Sequence, residues 1–132
     1  MRKITTILSI ILFSTTVSAQ QNEVTESQFD LQGQIINPVS IPPHCGTFAF
    51  AMAVELEIIS FSDTSYTQDS IAVVFTCPES YGANFFEVGK TYNLKVADQN
   101  QADFSYMIVN EGLVNKYDSE RILWVRMAEK TD

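Results

Sequence analysis

The amino-acid sequence predicts an all-β protein: a small closed or partly open β-barrel of about six strands, with a β-sandwich as the alternative. Two observations carry this prediction. Short segments in which apolar and polar residues alternate recur along the chain, and this period of two is typical of strands. Polar turns and turns containing glycine or proline separate the segments, and one segment is too long to remain straight in a small domain.

The first predicted strand covers residues 29–35, where Phe29, Leu31 and Ile35 alternate with polar residues. Three prolines follow within residues 38–43. Because proline restricts its neighbours to extended or turn backbone, we expect the strand to end there in a stiff loop.

The second predicted strand, residues 47–61, has the clearest pattern. Its even positions from 48 to 58 are all apolar and are predicted to face the core: Phe48, Phe50, Met52, Val54, Leu56 and Ile58. Its odd positions begin with Thr47 and three alanines and continue with Glu55 and Glu57, which we expect to be solvated. At about 3.3 Å per residue such a strand would extend for about 45 Å, so we expect it to curve as strands do in closed barrels.

Three later segments complete the predicted strands: 71–75, which is β-branched and apolar, 90–97 and 104–108. The last segment, 119–128, fits either a short capped helix or a strand. The surrounding β-rich context favours a strand.

Several of these features resemble known small secreted barrels. A long bent strand followed by hairpins and a closing return is similar to the order of the OB-fold. More specifically, Gly33-Gln34-Ile35, the region of Cys45 and the run from Phe86 to Leu94 resemble netrin-like domains, in which a glycine-led turn feeds a strand bearing an aromatic residue. The resemblance covers residues 29–96 and implies an OB-like barrel and, as one functional hypothesis, protease inhibition.

The chain also departs from the netrin-like pattern. Netrin-like domains usually carry several disulfides and a terminal cysteine that makes the inhibitory contact. This chain has two cysteines, and its predicted mature form begins with Gln20. The inhibitory contact therefore has no counterpart here.

Residues 1–19 have the three parts of a secretory signal peptide. Arg2 and Lys3 precede a largely apolar run that ends at Phe13, and Val17-Ser18-Ala19 supplies modest or small residues at the cleavage position. The apolar run is too short for a spanning helix, which needs about 20 apolar residues. We therefore predict a secreted or periplasmic protein that is not inserted in a membrane after processing.

The predicted organisation follows from this cleavage. The mature chain begins at Gln20, residues 20–28 form a flexible polar lead-in, and residues 29–132 form a single β-barrel domain.

The chain is strongly acidic, with 8 basic and 16 acidic residues. Removing Arg2 and Lys3 leaves 6 basic residues against 16 acidic ones, a formal net charge of −10. No Lys or Arg occurs from Gln20 to Gly89. This surface repels nucleic acid, so we expect no nucleic-acid partner. It would attract a basic protein or peptide, and we expect a protein, peptide or glycan partner, although net charge also serves solubility.

The two cysteines, Cys45 and Cys77, are predicted to form a disulfide, as an even pair does in an oxidising compartment. His44 is the only histidine, and no second ligand stands at zinc-motif spacing, so we predict no metal site. Glu55 and Glu57 share one strand face, but we interpret them as a solvated edge. Three other acids lack the spacing of a calcium loop: Asp63, Asp69 and Glu79. We predict no catalytic residue and no cofactor.

The candidate binding loop spans residues 79–89, and its candidate residues are Glu79, Tyr81, Phe85, Phe86 and Glu87. Loop aromatics supply binding surface when exposed, or they fold back and plug the barrel mouth. The leading functional hypothesis is a non-enzymatic binding or accessory module. The alternatives are an envelope hydrolase or enzyme subunit that uses carboxylates, and a netrin-like protease inhibitor.

Overall fold

The computed structural model describes residues 25–117 and 121–131. Its strands are β1 (Gln28–Ile35), β2 (Phe50–Phe61), β3 (Ser70–Thr76), β4 (Thr91–Ala97), β5 (Met107–Val109) and β6 (Trp124–Thr131). A 3-10 helix (Pro78–Tyr81) follows β3, and the helix α1 (Gly112–Tyr117) lies between β5 and β6. The prediction of an all-β protein with six strands is confirmed. The predicted signal peptide, 1–19, and residues 20–24 of the predicted lead-in lie outside the described residues.

Five of the strands close into a ring in the order β1, β4, β6, β3, β2 and back to β1. The ring is uneven. The β1–β2 contact is an antiparallel ladder from Leu31↔Phe61 to Ile35↔Leu56, whereas β3 and β6 meet in parallel at the single pair Val74↔Trp124. β5 lies outside the ring and pairs in parallel with the first residues of β2.

Gly33 lies at a bulge within the β1–β2 ladder. The β1–β2 register shifts between Gln32 and Gly33, and a Cβ built on Gly33 would lie 3.1 Å from both the Glu57 carbonyl oxygen and Leu56 Cβ. A bulge of this kind bends a strand and increases its twist. On this side of β2, residues Phe50–Met52 pair with β5, and β1 pairs with β2 only from Leu56 onward, so the long strand has two neighbours in succession.

The inside of the ring is filled by apolar side chains. The buried members of this core are Leu31, Ile35, Met52, Val54, Leu56, Ile71, Val73, Phe75, Tyr92, Leu94, Val96, Leu123 and Val125. The even positions of β2 were predicted to lie here, and Met52, Val54 and Leu56 do. The prediction is wrong for Phe48, which precedes β2 and is 62% exposed.

A second buried cluster lies on the opposite face of β2. Ala51 and Ala53 pack there with Trp124 and with residues of β3, under side chains from the connection between β4 and β6. The covering residues are Tyr106, Ile108, Leu113, Val114 and Tyr117. The alanines are small because this connection, with β5 and α1, lies directly on them.

The β4–β6 connection also contains the main differences from the predicted elements. The strand predicted at 104–108 is reduced to β5, and α1 was not predicted. The ambiguous last segment forms a strand from Trp124, as favoured, while residues 118–120 are outside the described part. Across the residues that the structure describes, neither helix has the length and apolar character needed to cross a membrane.

Candidate binding surface at the edge of β5

The aromatic residues of the predicted binding loop face the core. Tyr81, Phe85 and Phe86 are half-buried and pack against it. The rings of Tyr81 and Phe86 lie 5.3 and 4.9 Å from that of Phe75, and the Phe85 ring lies 5.3 Å from that of Tyr92. The sequence left open whether these aromatic side chains are exposed or fold back into the mouth of the barrel. In the structure they fold back and pack against the core. A binding role for the loop stays a prediction.

The two acids of the same loop make contacts within the domain. A Glu79 carboxylate oxygen accepts a hydrogen bond of 2.7 Å from the Cys45 backbone N–H. Glu87 forms an ion pair with Lys130, whose hydrogen bond lowers the pKa of the Glu87 carboxyl. Burial raises the pKa of the Tyr81 phenol. These contacts hold the loop onto the ring.

The predicted disulfide between Cys45 and Cys77 is confirmed, with 5.5 Å between the two Cα atoms. It holds the segment before β2 against the end of β3. The Phe50 N–H points to Cys45 Sγ at 3.3 Å, and the Cys77 N–H donates to the Phe50 carbonyl at 2.9 Å. The two cysteines and Glu79 are the one group in the described residues with metal-ligand proximity, but the sulfurs are bonded to each other and offer no thiolate.

Glu55 is not solvated, contrary to the prediction. It is 4% exposed, and among the described residues it is the buried charged one. One carboxylate oxygen accepts hydrogen bonds from Lys116 Nζ, at 2.7 Å, and from the Tyr117 hydroxyl, and the other accepts one from Asn37 Nδ2. The alanine face of β2 continues into Glu55, and α1 brings both Lys116 and Tyr117 over it. Glu57, two residues on, is exposed as predicted.

The electrostatics of this cluster make Glu55 a stable anion. Burial by itself would raise the pKa of the Glu55 carboxyl, but the donors from Lys116, Tyr117 and Asn37 outweigh burial and lower it. The same contact raises the pKa of Lys116. A general acid needs a raised carboxyl pKa, and a nucleophile needs a free oxygen, so this arrangement suits neither role. The hypothesis of a carboxylate enzyme stays a prediction, and the Glu55 cluster does not support it.

Asp63 is likewise engaged within the fold. The Ser65 hydroxyl donates to it at 2.6 Å and Arg121 Nη1 at 2.8 Å, and these contacts lower the pKa of the carboxyl. The Arg121 guanidinium also lies 5.6 Å from the centre of the Phe29 ring. The cluster ties the turn after β2 to the segment before β6.

The structure exposes an apolar surface that the sequence did not predict. Phe48, Phe104 and Met107 are 62%, 53% and 56% exposed and line one open concavity of about 370 Å³. We call these three residues the β5-edge surface. Met107 pairs with Phe50, so it extends the even face of β2 beyond the ring. The apolar stripe that fills the core thus continues onto the outside of the molecule.

Packing beneath the exposed residues holds this surface in place. The Phe48 ring lies 6.5 Å from that of Phe50, which the disulfide anchors. The Phe104 ring lies 5.1 Å from that of Tyr106, which in turn lies 5.8 Å from that of the buried Trp124. The surface therefore rests on the disulfide-linked segment at the start of β2 and on the second buried cluster.

An unpaired sheet edge adjoins this surface. β5 ends the sheet and, in the described residues, pairs with β2 alone. The Met107 N–H donates to the Ala49 carbonyl at 2.8 Å, so the backbone of Met107 faces β2. Because the backbone groups of successive strand residues point in opposite directions, the N–H and C=O of Ile108 face away from β2.

Two sequence signals could have indicated this surface. Phe48 occupies an even position, like the core residues of β2. However, it lies only three positions after Cys45, and the disulfide there leaves too little chain for a regular strand. Phe104 occupies an even position and Met107 an odd one, so in one regular strand their side chains would point to opposite faces. The two large apolar residues therefore do not fit a single strand that buries one face.

Comparisons with known proteins leave these features without a counterpart. No protein-family model matches the chain, and no curated protein or solved structure is significantly similar to it. The function must therefore be argued from the chain itself.

Proposed function

We propose that this protein is a non-enzymatic binding module that works outside the cytoplasm and contacts a partner protein or peptide through the β5-edge surface. One observation carries the proposal: three large apolar side chains, each more than half exposed, stand together at an unpaired sheet edge. Single exposed apolar residues are ordinary on protein surfaces, but a contiguous group at a held position is typical of an interaction site.

The proposal also agrees with the placement of the acidic side chains, which bind partners inside the fold. The buried Glu55, the half-buried Asp63 and the acids of the 79–89 loop all have partners within the fold. They stabilise the ring and its cover. The β5-edge surface, by contrast, has large side chains that the described residues leave more than half exposed and that a second molecule can bury further.

The compartment is part of the same proposal. The Cys45–Cys77 disulfide is expected of an oxidising environment, and the residues before Gln20 have the pattern of a signal peptide. Intact-mass measurement of the protein recovered from its natural compartment should give a chain that begins at Gln20. A retained 1–19 segment would contradict secretion by cleavage.

We extend the proposal to the fold type and interpret the ring as an OB-like barrel. The support is the long strand β2, which bends at a bulge and is shared between β1, β3 and β5. Binding through loops and an exposed edge suits such a barrel. This interpretation does not extend to protease inhibition, because the predicted mature chain would begin with Gln20 and not with the cysteine that makes the inhibitory contact.

Site-specific photocrosslinking tests the binding function. A photoreactive phenylalanine analogue replaces either Met107 or, as the matched control, Met127, an exposed methionine on β6 that is 61% exposed. In cells that produce the protein, the probe at position 107 should form one discrete crosslinked protein, and the probe at 127 should not. Equal crosslinking at both positions, or none at 107, would contradict the proposal.

A further inference from the structure

Resting on the proposed function, we infer that the partner binds by strand addition: an extended, basic segment pairs with the free edge of β5 and places apolar side chains on Phe48 and Met107. The inference concerns the mode of binding and the chemistry of the partner, which the exposed surface alone does not specify.

The first support is the geometry of the edge. The N–H and C=O of Ile108 face away from β2, and no strand of the described chain lies beyond β5. An added strand would satisfy these groups, as in other complexes in which a peptide extends a sheet. Its side chains would alternate between the two faces of the extended sheet, and one set would meet Met107, on the face that it shares with Phe50.

The second support is that packing against the domain fixes the position of β5. The side chains of Tyr106 and Ile108 pack on the buried cluster that contains Ala51 and Trp124. The edge is therefore fixed before the partner arrives, which lowers the entropy lost on binding.

The third support is charge. The two segments that form the surface, residues 44–50 and 98–111, contain no Lys or Arg. They carry three acids, Asp98, Asp103 and Glu111, and the last two are exposed. Lys or Arg residues flanking an apolar strand would complement this charge, whereas an acidic segment would be repelled.

The same charge argues against a second copy of this chain as the occupant. Two copies meeting at β5 would bring the two acidic segments together, and each mature chain carries a formal net charge of −10. β5 has three residues, so β5-to-β5 pairing would offer few hydrogen bonds against that repulsion.

The experiment titrates the isotopically labelled mature protein with a synthetic heptapeptide of alternating lysine and valine. Two further versions carry N-methyl groups, either on the valine amides or on the lysine amides, and so block opposite edges of the peptide. We expect the unmodified peptide to bind and to protect the Ile108 amide from hydrogen exchange. One methylated version should bind about tenfold more weakly, and the other should keep most of its affinity.

Protein variants locate the binding. Met107→Gln, which removes apolar contact without adding charge, should weaken binding, and the matched Met127→Gln variant should not. A glutamate–valine heptapeptide should fail to bind, and added salt should weaken the binding of the lysine peptide.

The outcomes separate this inference from the proposed function. If both methylated peptides bind as well as the parent, or none binds while position 107 still crosslinks a protein, strand addition is wrong and the binding function stands. Equal binding of the glutamate peptide overturns the basic partner. Dimerisation that Met107→Gln abolishes overturns the inference in favour of a second copy. If no peptide binds and position 107 crosslinks nothing, both proposals fail.

Discussion

The carboxylate of Glu55 and the ammonium of Lys116 lie 2.7 Å apart and join β2 to α1. Glu55 is buried, whereas the Lys116 side chain is 57% exposed, so the pair stands at the boundary between the second buried cluster and solvent. The Tyr117 hydroxyl donates to the same oxygen. One charged residue on the alanine face of β2 thus holds the end of the connection that also carries β5.

This relationship predicts that Glu55→Gln destabilises the protein. The amide keeps the shape of the side chain but loses the charge that pairs with Lys116. We expect a loss of about 1–2 kcal/mol in the free energy of unfolding, reduced from that of a fully buried pair because Lys116 is partly solvated. Chemical denaturation measures it. The control is Glu57→Gln, which alters an exposed residue of the same strand face, and equal stability of both variants would contradict the role of Glu55.

The lowered pKa of Glu55 predicts a pH dependence of defined sign. Below the ordinary pKa of 4.5, the unfolded state binds a proton at Glu55 more readily than the folded state does. The contribution of Glu55 to stability is therefore complete above that pH and is lost as the pH falls through the lower folded value. Two other carboxyls with lowered pKa act in the same direction: Glu26, which pairs with Arg126, and Asp63, which pairs with Arg121.

Comparison with a variant isolates the contribution of Glu55. The unfolding free energy of Glu55→Gln should fall less steeply with acidification than that of the parent protein, and the two curves should run parallel near neutral pH. Denaturation series at several pH values measure both slopes. Identical slopes in acid would show that the folded and unfolded pKa of Glu55 are equal.

The alanines under the β4–β6 connection predict a cost for larger residues. Ala53 is 2% exposed and lies in the second buried cluster. Ala53→Leu should reduce the free energy of unfolding by about 1–3 kcal/mol through overpacking. It should also displace β5 and weaken binding at the β5-edge surface. The control is Ile59→Leu, at an exposed odd position of the same strand. If Ala53→Leu left the free energy of unfolding unchanged, the β4–β6 connection could move away from β2 without cost.

The disulfide predicts a coupled effect on stability and on the binding surface. Replacing Cys45 and Cys77 by serine removes a crosslink between residues 32 positions apart. This should cost about 2–4 kcal/mol, mostly through the greater freedom of the unfolded chain. The segment carrying Phe48 should also lose its anchor, so crosslinking from position 107 should fall. Thiol titration of the unreduced, unfolded parent should find no free sulfhydryl, and a free thiol would contradict the bond.

Several features could be predicted from the sequence because they depend on local spacing. Alternation along β2 placed Met52, Val54 and Leu56 on one buried face, since neighbouring residues in a strand point in opposite directions. The even number of cysteines predicted the bond between Cys45 and Cys77. Neither inference requires knowledge of what packs against the strand.

Other features depended on contacts between distant segments and could not be predicted in the same way. Glu55 lies on the strand face that alternation predicts to be solvated. It is buried because α1, about 60 positions later, covers it with Lys116 and Tyr117. The six residues of α1 are too few to show a helical period.

The sequence by itself determined the fold class, which residues of β2 share a face, the disulfide and the acidic charge of the chain. Only the tertiary structure decided where the core ends and where a sheet edge remains free. Periodicity tells which side chains share a face, but not how far the opposite strands reach along it. β1 pairs with β2 only from Leu56 onward, so the same apolar stripe is core at Val54 and exposed surface at Phe48.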